Sequence, residues 1–234
     1  MASFTCVNCG DKNVTITIKD TSADPHPYGF FGFGLTTVLL NIHNTGFFPM
    51  DSMIIGMAIM FGGLCQIMGG IMCYLKGMYL PAIAFASFGY FWISFGLLQL
   101  FAANGIMKAP SAKSLAWYMT IWGVYVIIFF VYTIYFAPIF IQYLFATVFV
   151  LFFLLAFGIG LGSTTVVRIA GWEGIICGLS AMYAGAASLL NTPERTLLPM
   201  GKNYCCGKKK KPNPPKEDST ENIKGAIETS KGQH

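Results

Sequence analysis

The sequence predicts an all-α integral membrane protein with six transmembrane helices. Of its 234 residues, 55% are hydrophobic and only 11% are charged, whereas soluble domains carry roughly 25% charged residues. Charged residues are also sparse between positions 29 and 190. An apolar stretch of about 20 residues can cross the hydrocarbon core of a bilayer as a helix. The predicted spans are 29–49, 52–75, 78–101, 115–136, 139–162 and 172–190.

The composition divides the chain into three parts: a polar N-terminal segment (1–28), a six-helix membrane domain (29–200) and a basic tail (201–234). The first 28 residues lack the apolar run of a cleavable signal peptide, so we expect the first span to direct insertion. The tail is rich in lysine, proline and glutamate without an apolar period, which predicts disorder.

The distribution of lysine and arginine predicts that both termini are cytoplasmic. With six spans and this orientation, 12 of the 15 basic residues face the cytoplasm, where positive charge is normally in excess. The glycosylation sequon Asn13-Val14-Thr15 should then stay unmodified.

The cysteines do not form a disulfide pattern. Cys6 and Cys9 have the spacing of half a zinc site, but a structural site needs four ligands and no second pair follows. We therefore expect no metal.

At the start of the tail, Cys205 and Cys206 precede four lysines at 208–211. Two interpretations remain open: an ordinary positively charged flank, or a palmitoylated pair beside a lipid-binding basic patch. Neither interpretation requires nucleic-acid binding.

A polar stripe distinguishes the first span. Its members follow one helical face at i, i+4, i+8 and i+11, and they are Phe33, Thr37, Asn41 and Asn44. Gln66 in span two and Trp92 in span three add polar groups, while His43 lies near the end of span one. Such residues also hydrogen-bond between membrane helices without touching a solute, and His43 alone fits an interfacial or capping role better than a proton relay.

No acidic or basic residue lies in the middle of a predicted span, because Asp51, Arg168 and Glu173 fall near boundaries. Intramembrane ionisable groups are the usual proton relays and cation sites. This pattern disfavours a carboxylate-based pump or a sodium site. No nucleotide-binding loop is present.

The run from Asp24 to Thr37, Asp-Pro-His-Pro-Tyr-Gly-Phe-Phe-Gly-Phe-Gly-Leu-Thr-Thr, resembles the opening signature of the acetate uptake transporter family, the succinate–acetate permeases. That signature reads Asn-Pro-Ala-Pro-Leu-Gly-Leu, followed by Gly-Phe-Gly and two threonines. The similarity covers residues 24 to 201 and recurs at 40–44, 62–66, 91–92, 122–123, 170–178 and 196–201.

The resemblance implies a six-helix protomer in a homohexamer, in which each protomer carries acetate and related short carboxylates such as succinate through the plasma membrane. Family members are described both as proton-coupled transporters and as channel-like, without a cofactor. The family's narrow point is a ring of three apolar or aromatic side chains, which falls on Phe33, Phe88 and Val148 here.

The chain departs from the family at four of these positions. Asp24 replaces the usual Asn, and we expect it to cap the first helix. His26 replaces a small apolar residue. Phe88 and Val148 replace the common Tyr and Leu, which makes the ring drier and slightly wider.

We expect Thr37, Asn41 and Gln66 to donate hydrogen bonds to a carboxylate on either side of this ring. The predicted pathway residues are Phe33, Thr36, Thr37, Asn41, His43, Gln66, Phe88, Trp92 and Val148, and the predicted signature residues are Asp24, Pro25, Pro27 and Gly29. Two alternatives remain: an acetate sensor without flux, and a scaffold whose polar stripe only packs helices. An enzyme is disfavoured, because no carboxylate pair, metal cluster or activated nucleophile lies in the spans.

Overall fold

A computed structural model of the protein describes residues 2–6, 14–18, 22–192 and 194–202. In the N-terminal segment, strands β1 (Ala2–Cys6) and β2 (Val14–Ile18) pair antiparallel. The predictions for Cys9, for Asn13 of the sequon and for positions 205–211 fall outside the described residues.

The membrane domain is helical. Residues 52–75 form one continuous helix, and its middle part, Ala58–Cys65, is π-helical. The α-helices of residues 22–192 are α1 (His26–Asn44), α2 (Ser52–Met57), α3 (Gln66–Leu75), α4 (Tyr79–Ala103), α5 (Ala112–Phe136), α6 (Ile139–Gly160) and α7 (Thr164–Leu190).

Five of these helices are long and apolar enough to span a membrane: the continuous helix Ser52–Leu75 and helices α4, α5, α6 and α7. The predicted class, a multi-pass helical membrane protein, agrees with this result. Helix α1 has 19 residues and is not among the five in the described chain. It carries the polar stripe, which lowers its mean hydropathy.

Helix α1 lies inside the bundle. It packs along α7 and against α3, the π-helical segment and α4, while α6 packs between α5 and α7. The small cavities described below are lined by residues of α1, α4 and α6.

Both ends of α1 differ from the predicted span of 29–49. The helix begins at His26 and ends at Asn44, where Gly46 adopts a φ of 95° and its N–H donates to the His43 carbonyl at 2.8 Å. A positive φ is favourable only for glycine-like residues, so Gly46 ends the helix before residue 49.

The start of α7 corrects a second prediction. The helix begins at Thr164 rather than at residue 172, and the Ser163 side chain caps it by accepting from Val166 N–H at 3.4 Å. Arg168 and Gly171 lower the local hydropathy without preventing helix formation. Arg168 and Glu173 thus lie within α7, as its fifth and tenth residues.

Candidate functional site

Four cavities follow α1 from its first residue to its last. The proximal vestibule, of about 510 Å³, lies at the start of α1 and is lined by Asp24, His26, the α3–α4 loop, the α5–α6 loop and the end of α7. The distal vestibule, of about 430 Å³, lies at the other end, between His43, the end of α6 and the start of α7. Two much smaller cavities lie between them.

The first of these, the ring cavity, has a volume of only about 20 Å³. That is room for about one water molecule. The ring centroids of Phe33 and Phe88 lie 5.2 Å apart, and those of Phe88 and Phe145 lie 6.4 Å apart. The cavity is lined by Phe30, Phe33, Gln66, Ala84, Phe85, Phe88, Leu144, Phe145 and Val148.

The second, the polar cavity, has a volume of about 30 Å³. Phe33 and Val148 line both small cavities and therefore separate them. The structure thus brings the three predicted ring residues together. The polar cavity is lined by Phe33, Thr37, Leu40, Asn41, Phe91, Trp92, Met119, Val148, Leu151, Phe152 and Leu155.

Several buried polar groups around this narrow section have no hydrogen-bond partner among the described residues. They are Thr36 Oγ1, Thr37 Oγ1, both amide atoms of Gln66 and Trp92 Nε1. More than about nine in ten buried polar groups in proteins are hydrogen-bonded, and leaving one unpaired is costly. Such a concentration indicates a place where a polar solute supplies the missing partners.

The Asn41 side chain makes two hydrogen bonds within the protein. Its Nδ2 donates to the Thr37 carbonyl at 2.8 Å, and its Oδ1 accepts from Asn44 Nδ2 at 2.9 Å. The Asn41 amide carries two donors, so one N–H is not used by this bond, and the residue lines the polar cavity. Asn44 also lines the distal vestibule, so this amide pair links the two compartments.

Gln66 is positioned by the π-helical segment that ends just before it. π-Helical segments are rare and frequent at functional sites. Gly32 on α1 allows the close approach: a Cβ there would lie 2.8 Å from the Phe61 carbonyl oxygen and 3.5 Å from the Gln66 Cβ. The fully buried Gln66 side chain reaches the ring cavity across this contact.

Thr36 is the one predicted residue of the α1 stripe region that lines none of the cavities described above. It packs beside Gly62 and Trp92, because a Cβ on Gly62 would lie 2.8 Å from the Thr36 Cγ2 and from the Trp92 Cγ. Its position fits helix packing better than solute contact.

At the proximal end, Asp24 and His26 form a pair. Asp24 Oδ1 accepts from the His26 backbone N–H at 3.1 Å and lies 2.6 Å from His26 Nδ1. Partial burial acts to raise the pKa of Asp24, but the hydrogen bonds from His26 outweigh it and hold this pKa below its usual value. The imidazole stacks on Phe30, with centroids 6.0 Å apart.

The signature residues shape this end of α1. Asp24 does bond the first N–H of the helix, but the capping position itself is Pro25, which is buried. Pro27 stands in the first turn and is half-buried. Gly29 gives room to Phe85, because a Cβ there would overlap the Phe85 ring.

At the distal end, His43 Nδ1 lies 2.8 Å from the Phe48 carbonyl oxygen. His43 is therefore separate from the narrow section and belongs to the distal vestibule. The Arg168 guanidinium lies beside Gly46, within 3.5 Å of where a Cβ on that glycine would stand. This vestibule is thus cationic.

Several residues that line the ring cavity were not predicted from the sequence. Phe30, Phe85, Leu144 and Phe145 line the ring cavity but are apolar residues in apolar helices, so no polarity contrast marks them. Phe145 precedes Val148 by three residues and shares its helix face, a spacing that was the only available signal.

Comparison with known proteins identifies the family. The sequence profile of the GPR1/FUN34/yaaH family matches residues 9–200. The chain belongs to this family. The succinate-acetate/proton symporter SatP of Escherichia coli (strain K12) is 40% identical over 183 residues, which cover 78% of this chain and 97% of that protein.

Two further relatives each match more than 70% of this chain. The solved structure of the bacterial acetate channel SatP matches with a TM-score of 0.75 and 40% identity, covering 77% of this chain and 100% of that one. Ammonia transport outward protein 2 of Saccharomyces cerevisiae is 31% identical over 181 residues, covering 73% of this chain and 64% of that protein. The resemblance drawn from the motifs is confirmed, and the chain is a multi-pass membrane protein.

Proposed function

We propose that this protein transports acetate and related short-chain carboxylates, including succinate, across a membrane. The observation that carries the proposal is the run of cavities along α1. Two vestibules open at opposite ends of the helix, and the section between them narrows at Phe33 and Val148. Unpartnered buried polar groups flank that constriction.

The chemistry of the constriction favours a carboxylate that moves with a proton. Moving a bare carboxylate into an apolar ring is costly, and burial favours the neutral acid. Gln66 on one side of Phe33 and Thr37 and Asn41 on the other offer hydrogen bonds to either form. The same hydrogen-bond donors serve a proton-coupled transporter and a channel.

The names of the relatives support the substrate class. One is a succinate-acetate/proton symporter and another an acetate channel, and the chain matches nearly the full length of both. Acetate permease A of Emericella nidulans is 32% identical over 94 residues.

For the topology, we infer that α1 is a sixth span and that both termini are cytoplasmic, in the cell membrane. The 19 residues of α1 rise about 28 Å at 1.5 Å per residue, close to the hydrocarbon thickness of about 30 Å. Its polar face is covered by neighbouring helices. The excess of basic residues in the predicted cytoplasmic segments supports the orientation.

For the assembly, we propose a homohexamer in which each protomer holds its own pathway. The family resemblance supports this stoichiometry. Helix α7 also exposes Trp172, Ile176 and Leu179 along one face, which a neighbouring protomer or lipid must cover. Native mass spectrometry of the detergent-solubilised protein measures the subunit number, and a monomer would contradict the proposal.

The decisive experiment is uptake of labelled acetate by the full-length protein in liposomes, with and without an inward proton gradient. Phe33→Trp serves as the blocked variant, because a larger ring fills the constriction. Phe157→Trp is the matched control, since Phe157 is 62% exposed on α6 and outside the four cavities.

We expect flux that rises with the gradient, after subtraction of leak in empty liposomes. It should fall in Phe33→Trp and stay unchanged in Phe157→Trp. No flux from folded protein would reject transport and favour the sensor or the scaffold.

A further inference from the structure

Glu173 is an acidic residue within a membrane helix. It has no role in the pathway described so far. It is the tenth residue of α7. Both of its carboxyl oxygens are buried and have no hydrogen-bond partner among residues 22–192 and 194–202. A bare carboxylate in such a place is strongly disfavoured, so the geometry is that of a protonated acid.

No side chain of the described residues forms an ion pair with this group. Helix α6 carries no acidic or basic side chain, and α1 carries only His26 and His43, at its two ends. On α7 itself, Arg168 lies toward the helix start, with its guanidinium beside Gly46. The salt bridge found in the described part of the chain joins Asp24 and His26, and the titratable thiol of Cys177, one turn beyond Glu173 on α7, is buried.

The position of Glu173 relates it to the narrow section. The next residue, Gly174, packs so closely on Asn41 that a Cβ there would overlap the Asn41 amide. One turn further along α7, Cys177 is fully buried. Glu173 is therefore next to a residue that contacts Asn41, and Asn41 lines the polar cavity.

We propose that Glu173 is a proton-binding site that controls the passage of carboxylates through the narrow section. It holds a proton in the conformation described here. When it loses that proton, its negative charge acts through a low-dielectric wall and opposes a carboxylate in the polar cavity, since like charges there repel far more strongly than in water. The inference rests on the proposed transport function but concerns a group outside the pathway lining.

The protonation state is tested directly, without any flux measurement. Dicyclohexylcarbodiimide partitions into membranes, adds to a protonated carboxyl group and rearranges to a stable N-acylurea that retains the whole reagent mass. The full-length protein in liposomes is treated at neutral pH and analysed by peptide mass spectrometry. Glu194 is exposed and is the internal control.

We expect modification of Glu173 at least about tenfold above that of Glu194, because an exposed glutamate is almost fully ionised at neutral pH. The adduct should disappear in Glu173→Gln. Absence of modification at Glu173 overturns the proposal, because it shows an ionised or paired carboxylate.

The functional consequence is tested by acetate flux between pH 5 and pH 9 in the wild type, in Glu173→Gln and in the control Glu194→Gln. The glutamine variant is neutral at every pH. Above the pH at which Glu173 loses its proton, the ratio of Glu173→Gln flux to wild-type flux should rise by up to about tenfold per pH unit. The corresponding ratio for Glu194→Gln should stay flat.

A flat ratio for Glu173→Gln also overturns the proposal. A wild type without acetate flux at any pH instead rejects the transport function, and the carbodiimide result then decides the proton site alone. If Glu173→Gln fails to assemble, labelling of the wild type still gives the answer.

Discussion

The rings of Phe33 and Phe88 lie 5.2 Å apart between centroids, with their planes tilted by 54°. This pair joins α1 to α4 at the smallest of the four cavities, and both side chains are less than a tenth exposed. Aromatic pairs at this separation stabilise their arrangement by about 0.5–1.5 kcal/mol beyond burial alone. The constriction is therefore a packed element of the core and not a loosely held gate.

Phe33→Ala should open the constriction. Removing the ring merges the ring cavity with the polar cavity, because Phe33 lines both. We expect faster uptake and acceptance of larger carboxylates, at a stability cost of about 3–5 kcal/mol if the site does not collapse. Competition of labelled acetate uptake by a series of longer acids measures the change. If the flux and the size range of accepted carboxylates are unaltered in a normally assembled variant, Phe33 does not limit passage.

Gln66→Leu should lower flux without lowering stability. Both amide atoms of Gln66 are buried and unpartnered among the described side chains and backbone, so an apolar residue of similar size removes an unpaired polar group. Such a replacement is nearly neutral or stabilising, by up to about 1–3 kcal/mol. Acetate uptake and thermal unfolding in detergent are the two readouts.

The matched control for this prediction is Gln142→Leu. Gln142 Nε2 donates to the Ala137 carbonyl at 3.0 Å, so its loss should cost about 1 kcal/mol and leave flux intact. If Gln66→Leu unfolds more easily than the wild type, the amide has a structural partner and the binding role fails.

Asp24→Asn should destabilise the protein at neutral pH and not at low pH. The pKa of Asp24 is held below its usual value, because hydrogen bonds from His26 outweigh the effect of burial. A carboxyl whose pKa is lower in the folded state stabilises the fold above its unfolded-state pKa, about 3.9, and this contribution is lost as the pH falls through the folded-state pKa. The difference in melting temperature between wild type and variant should shrink from pH 7 toward pH 3. A difference that stays constant over this range would show that the Asp24 charge contributes nothing.

Gly174→Ala should impair both assembly and flux. A Cβ at this position would overlap the Asn41 amide, and the backbones of α1 and α7 must then separate or Asn41 must leave the polar cavity. Overpacking of this kind costs about 1–3 kcal/mol. Gly56→Ala is the control, because nothing lies within 4 Å of a Cβ there and alanine favours the helix by about 1 kcal/mol. Melting temperature and uptake of both variants check the contrast, which fails if Gly174→Ala behaves like Gly56→Ala.

The sequence predicted the α1 face because its polar residues stand out at helical spacing in an apolar segment. Thr37 and Asn41 do line one cavity with Trp92 and Val148. Phe88 and Val148 were placed through the family resemblance, and the structure brings both to Phe33. Apolar lining residues such as Phe145 were not predictable in this way, since hydropathy does not distinguish a lumen-facing phenylalanine from a lipid-facing one.

The start of α7 was missed for a different reason. The prediction located the sixth span by mean hydropathy, which Arg168 and Gly171 reduce, and so it began the helix too late. Helix formation in α7 instead begins at the Ser163 cap. Polar residues likewise lower the mean hydropathy of α1, which is not among the five described helices that are apolar enough to span a membrane.

The π-helical segment Ala58–Cys65 changes how the helix 52–75 would respond to a deletion. Each residue of an α-helix turns the chain by about 100°, whereas a π-helical turn holds more residues and each of them turns the chain by less. Deleting one residue within the segment and closing it to ordinary α-helix would therefore leave the helices on either side nearly in their present rotation. The same deletion within the α-helical part of α3 would rotate the residues on one side of it by about 100° relative to those on the other. The segment is thus the stretch of this helix where a change of length disturbs the flanking side chains least.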